Sequence, residues 1–315
     1  MKPILFLLPI IISLTTVAQK IEKYYDYRRK ETTPEMARFY VTIEKIDSGW
    51  HRRDYFLQER KLQMNGTYED SVCKIPNGQF RYYHPNGGLQ RIGRYIHGER
   101  DGLWLSYHYN GMISDSTSYS NGHKIGNSYG WFENGYPSDS SVWNADGSGV
   151  DLAWFNNGSP SSAGKYGPRE KKQGKWLFFH RNGKVSASEM YKDGALISKQ
   201  YFDEQGNETD TTSKDRPASF IGGLKAWQNY LVKKLYFPTQ YKLINADKAV
   251  VVVDAVIDEE GNVTDVAVST PFHPAFDKIA VEVVRKSPQW EPAIQHNRKM
   301  RHNIRQAVFF AQQQR

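Results

Sequence analysis

The 315-residue chain holds one cysteine, Cys73, so an internal disulfide and a paired-cysteine zinc site are both excluded. Nothing beside Cys73 suggests an activated thiolate, and it reads as structural or incidental. After residue 18 no apolar run approaches the ~20 residues that carry a helix across a bilayer core, so no integral span is expected after that point. Long basic blocks are missing too. The formal net charge is +8, yet Lys and Arg are scattered among Asp and Glu, which argues against a nucleic-acid partner. Catalytic signatures are absent: there is no G-x-S-x-G elbow, no H-E-x-x-H and no phosphate-cradling loop. Asp258-Glu259-Glu260 lacks the spacing of a calcium loop and reads as a hairpin turn. Gly222-Gly223 opens a helix without the preceding strand of a dinucleotide fingerprint. The chain is therefore expected to be non-enzymatic, with no cofactor and no metal.

What the sequence does contain begins at residue 1. Lys2, the apolar stretch Ile4 to Val17 and the small residues Thr16-Val17-Ala18 before Gln19 have the layout of a signal peptide over 1–18. No cysteine follows to take a lipid anchor. Export to the periplasm or cell envelope is the expectation.

The next signal is a repeat. Glycine recurs at Gly87, Gly111, Gly135, Gly158, Gly183 and Gly206, with gaps of 24, 24, 23, 25 and 23 residues. Asn precedes the first five and Gln205 the last. An aromatic stands four residues before each glycine (Tyr83, Tyr107, Trp131, Trp154, Phe179, Phe202), and another eight residues after each of the first five. Asn-Gly is a tight-turn signal because both residues tolerate positive φ, and the flanking stretches are strand-forming. Each unit therefore reads as a hairpin, joined to the next by a second turn such as His97-Gly98 or Asn121-Gly122. A lone hairpin is marginal in water, so successive hairpins must pair into an elongated antiparallel sheet. The aromatic rows are expected to pack as core; an exposed aromatic face for glycans is the sharper alternative. His84, His108 and His180 share one repeat position and are expected to be solvated loop residues, a metal ladder being the alternative.

Gly93 to Gly98, Gly102-Leu103-Trp104 and Asn110-Gly111 resemble MORN repeats, and the resemblance spans about residues 77–209. It implies an architecture and says little about function. Asp146-Gly147 and Pro168-Arg169 depart from the usual second turn, and Trp50 to Asp70 reads as a degenerate first unit within a 19–76 segment.

The repeat unit runs over 77–210, and a polar linker follows at 211–219. Helix and strand signals then alternate over 220–315. Leu224, Trp227, Leu231 and Leu235 mark one helical face, ended by Phe237-Pro238. Ala249 to Ile257 and Val263 to Ser269 read as a hairpin, Phe276 to Val284 as a second helix, and His302 to Phe310 as a last strand. Two helices on one face of a small antiparallel sheet give a single α+β core.

Phe220-Ile221-Gly222-Gly223, Tyr230-Leu231, Phe237-Pro238, the hairpin at Asp258 to Val263, Asp277 and Pro288 to Ala293 together resemble the TonB C-terminal domain, in order and at fitting spacing. One departure is Lys248-Ala249 where a glycine is usual. The resemblance implies capture of an extended peptide from an envelope protein or outer-membrane transporter, added as a strand to the sheet edge. It implies a peptide-binding edge at Arg301, Asn303, Arg305 and Ala307, with Thr239, Gln240 and Lys242 nearby. Arg301 and Arg305 share parity and are expected to be solvated surface charge, acidic groups of a partner being the sharper alternative; Trp290 is expected in the core. Two other roles fit the same folds: a TonB-type energy transducer anchored by an uncleaved N-terminus, and a glycan- or cell-wall-binding repeat protein. The transducer reading lacks a Pro-rich spanning arm. Exposed sheet edges also open a route to self-association.

Overall fold

The computed structural model describes residues 20–244 and 248–312. The signal-peptide assignment at 1–18 lies outside the described residues. Residues 20–209 form one 16-stranded antiparallel sheet whose spatial order is its sequence order. Its first half comprises β1 (Lys20–Tyr25), β2 (Phe39–Ile46), β3 (Gly49–Phe56), β4 (Lys61–Tyr68), β5 (Gly78–Tyr83), β6 (Leu89–Ile96), β7 (Glu99–Tyr107) and β8 (Ile113–Ser120). The second comprises β9 (His123–Trp131), β10 (Pro137–Trp143), β11 (Gly149–Trp154), β12 (Pro160–Gly167), β13 (Lys171–Phe179), β14 (Val185–Lys192), β15 (Ala195–Phe202) and β16 (Glu208–Thr209). The sheet thus starts well before the first clear repeat, and residues 20–49 supply β1 and β2.

Two kinds of turn alternate along its two rims. At the first Asn-Gly pair, His84 N–H donates to Gly88 O (2.8 Å) and Gly87 N–H to His84 O (2.8 Å). Only the glycine enters the left-handed region (Gly87, φ 88°), not Asn86. This is a three-residue loop, a type I turn closed by a glycine bulge. At the other rim, Asn121 (φ 47°) and Gly122 (φ 78°) both take positive φ, as the two-residue type I′ turn demands. Positive φ at both residues therefore holds for the second rim, not the first, because the longer loop needs one left-handed residue.

The asparagine at the first rim has a different task. Its Oδ1 accepts the N–H two residues on, as Asn110 does from Met112 (3.0 Å). Its Nδ2 donates to the next turn: Asn86 to Tyr109 O, Asn110 to Glu133 O and Asn134 to Asn156 O, each at 3.1 Å. A short primary amide offers acceptor and donor together. The three histidines do similar work. The Nε2 atoms of His84, His108 and His180 lie 3.0, 2.8 and 2.8 Å from the carbonyls of Tyr107, Trp131 and Phe202. They bracket one repeat to the next, and His180 is buried, which corrects both the solvated-loop and the metal-ladder readings.

On the inner face, large aromatics sit over glycines of the neighbouring strand. A Cβ at Gly66, Gly93 or Gly164 would lie within 2.2, 2.1 and 2.0 Å of Phe80, Trp104 and Trp176. Tyr95 packs edge-on to Trp104 at 4.8 Å and Tyr166 to Trp176 at 5.1 Å. Trp104 is 2% exposed and offers no open stacking face, so the inner-face line of Phe80, Trp104 and Trp176 is core. Of the two rows read from the sequence, Trp143 is buried and the others, such as Tyr83, Trp131 and Trp154, are half-buried.

The C-terminal unit has two helices against a three-stranded sheet. In order come β17 (Ser219–Phe220), α1 (Gly223–Lys234), β18 (Lys248–Ile257), β19 (Val263–Thr270) and α2 (Pro274–Arg285). Then follow β20 (Trp290–Glu291), β21 (Ala293–Gln295), β22 (Arg298–Met300) and β23 (His302–Ala311). The main sheet runs β19-β18-β23. Trp227, Phe276, Ile279, Val283, Trp290 and Val308 are buried in one core with β18. Leu224, expected on the inner face of α1, is instead 71% exposed, because Trp227 and its neighbour Phe220 fill that side. Helix α2 starts on Pro274, with His273 Nδ1 accepting Ala275 N–H (3.2 Å) and Asp277 Oδ1 accepting Phe272 N–H (2.9 Å).

Candidate binding edge and the cleft beside it

Strand β23 pairs along its whole length with β18, from Ile257↔His302 to Lys248↔Ala311. On its other side no strand pairs with it among the described residues. Its even-numbered residues Ile304, Val308 and Phe310 are buried in the core. Asn303, Arg305, Ala307 and Phe309 therefore point away from the helices. Leu243 N–H donates to Gln312 Oε1 (2.6 Å), which sets the segment holding Thr239, Gln240 and Lys242 at the end of this strand.

Both arginines meet carboxylates, and these belong to the same unit. Arg305 forms a two-pronged pair with Asp254, its direct cross-strand partner, at 2.7 and 2.8 Å. Arg301 reaches Asp265 at 2.5 Å. The side chains that would greet an acidic partner are thus already ion-paired. The Asp254–Arg305 pair was within reach of sequence reasoning, since one Asp interrupts a valine strand opposite one Arg.

This face of the sheet looks onto the Asn-Gly rim of the repeats across a cleft of about 560 Å³. Asp254, Arg301, Asn303 and Arg305 line one wall; His108, Trp131, Phe132 and Glu133 line the other. Arg301 lies 5.5 Å from the Phe132 ring centroid. Burial, with the adjacent Asp265 carboxylate, pushes the Glu133 carboxyl up to about 7.

The hairpin β21–β22 fixes the C-terminal unit on the inner face of the repeats. Its tip residues His296 (φ 52°) and Asn297 (φ 58°) form a type I′ turn. The His296 ring stacks on Phe178 (3.7 Å, 6°) and its Nδ1 lies 2.9 Å from Glu189 Oε1. Asn297 Nδ2 donates to Phe202 O (2.9 Å), and Arg298 donates to the carbonyls of Phe179 (3.1 Å) and Ser161. Burial pushes the Glu189 carboxyl up, but hydrogen bonds from His296 and Tyr191 outweigh it and hold the group below its usual range. Glu259, read from sequence as a turn residue, is buried and paired with Arg181 of the repeats at 2.8 Å. None of these cross-unit contacts has a local sequence signature.

Fold and edge together define an α+β domain with an open strand, carried by a β-repeat sheet. Comparison with known families makes this specific. Residues 234–311 match the family described as Gram-negative bacterial TonB protein C-terminal, and residues 76–97 and 172–193 match the MORN repeat variant. The chain carries a TonB C-terminal domain behind MORN repeats. No curated protein matches it. Among the described residues no helix is long and apolar enough to cross a membrane.

Proposed function

We propose that the protein is an adaptor of the Gram-negative envelope whose C-terminal sheet captures an extended segment of an outer-membrane transporter. The segment adds as a strand to the outer edge of β23. The observation that carries this reading is that edge: ten residues, His302–Ala311, with no strand on the outer side among those described. Main-chain hydrogen bonds would supply affinity, and the exposed Asn303, Arg305 and Phe309 would tune selectivity. The docked hairpin β21–β22 favours the repeats as a second docking surface over a detached spacer. No catalytic step is assigned to the protein. The full chain, used as bait on native envelopes, should retain an outer-membrane transporter through its periplasmic segment. A variant carrying Pro at Phe309, on the solvent side, should lose it. Equal retention by both would place binding away from the edge.

A further inference from the structure

We propose that the middle of the repeat sheet's inner face binds a neutral saccharide unit. One line of residues crosses that face strand by strand. It enters as Phe80, Gly93 and Trp104 and leaves as Gly164 and Trp176, alternating large aromatic with glycine. Between them the directly paired residues are Thr117, Ser128, Ser141 and Asp151. Thr117 stands where the neighbouring unit has Gly93, and Ser128 where it has Trp104. Both members of the aromatic–glycine pair are changed together. The result is a cavity of about 500 Å³, the size of a small-molecule site.

Two of the residues lining this cavity each carry a buried polar atom without a hydrogen-bond partner: Ser128 Oγ and Trp143 Nε1. Their residues are 5% and 6% exposed. The indoles of Trp104 and Trp176, by contrast, donate to the carbonyls of Arg94 (3.1 Å) and Lys165 (2.9 Å). A buried indole N–H without an acceptor is rare in native proteins and points to an outside group.

The charges define that group. Asp115, Asp139 and Asp151 line the cavity together with Arg91, Arg100 and Lys124. The carboxylates accept from hydroxyls: Asp115 from Thr117 (3.2 Å), Asp139 from Ser138 (2.7 Å) and Asp151 from Ser141 (2.7 Å). The cations are held over aromatics, Arg100 at 4.8 Å from Trp104 and Lys124 at 4.7 Å from Trp143. At either end of the same face a buried carboxylate is met by the chain itself, Asp54 by Arg29 (3.1 Å) and Glu189 by His296 (2.9 Å). In the middle, among the described residues, no such insert enters. A ligand here must donate to carboxylates and accept from an indole and guanidinium groups within a few ångströms. A cation would face the three bases and an anion the three acids. An array of hydroxyls, each donor and acceptor, satisfies both without net charge.

The test uses the full chain with ¹⁵N-labelled tryptophan, the Trp143 indole signal being assigned through Trp143→Phe. Glucose, N-acetylglucosamine and their β-1,4-linked oligomers are titrated in, with glutamate and spermidine as charged probes. At least one neutral saccharide should move the Trp143 indole N–H saturably. The shift should vanish in Asp139→Asn and in the double variant T117G/S128W, which restores the row's pair and fills the cavity. Should the double variant not fold, Asp139→Asn alone decides. No saturable shift with any neutral saccharide up to about 10 mM, saturation by a charged probe alone, or a shift that survives Asp139→Asn overturns the proposal.

Discussion

Replacing His296 with alanine probes the joint between the two units most sharply. Glu189 is 2% exposed, and its carboxylate is satisfied by His296 Nδ1 at 2.9 Å and Tyr191 Oη at 2.5 Å. Removing the ring leaves one carboxylate oxygen buried without its partner, at about 1–3 kcal/mol. Losing the 3.7 Å stack on Phe178 adds about 0.5–1.5 kcal/mol. The sum, about 1.5–4.5 kcal/mol, lowers the docked-to-undocked ratio roughly 10- to 2000-fold. Remaining contacts of Arg298 and Asn297 hold the hairpin in place less tightly, so the loss appears as local opening before global unfolding. Amide hydrogen exchange should therefore quicken in β21–β22 and in β13–β15 together, while β5–β9 keep their protection. Unchanged exchange at Arg298–Met300 and Val185–Lys192 would refute the claim that this hairpin bolts the units together.

Other predictions follow from the same geometry. Asn110→Asp keeps the acceptor for Met112 N–H but sets an acceptor against Glu133 O, so thermal unfolding should report a loss of about 0.5–1.5 kcal/mol, with Asn110→Ala similar. Gly164→Ala should destabilise by about 1–3 kcal/mol in denaturant unfolding, since its Cβ would meet Trp176 at 2.0 Å, whereas Gly174→Ala meets no atom within 4 Å and is strained only through its φ of 66°. Glu133 has a folded-state value raised from 4.5 to about 7, so the folded state holds its proton longer than the unfolded one. The stability it contributes is full below about pH 4.5 and is lost as pH rises through 7. Glu133→Gln should flatten the stability profile across that window. Glu189 is held low, so its contribution has the opposite sign, present at neutral pH and lost in acid, and Glu189→Gln should remove that acid-side loss.

The units and their order were legible in the sequence because they rest on local signals. A glycine every 23–25 residues fixes the hairpins. The stripe Phe276, Ile279, Ala280, Val283 fixes α2. What escaped depends on contacts distant in sequence. The amide nitrogen of Asn110 finds Glu133 only once the turns stack. His296 and Arg298 look like ordinary turn and strand residues until their partners, Glu189 and the Phe179 carbonyl, are brought beneath them. Leu224 misled because a helical stripe shows which residues share a face, not which of them the neighbouring Phe220 and Trp227 leave uncovered. The change at Ser128 lies outside the two aromatic rows that the repeat shows, and its meaning required the unpaired Trp143 indole.

Amide hydrogen exchange of β23 in the full chain, with and without a peptide copying the periplasmic segment of a captured transporter, tests the central claim most directly. Added protection is expected at alternate residues of His302–Ala311, with the β13–β15 amides unchanged. Protection that appears only in the repeats, or none along β23, would contradict it.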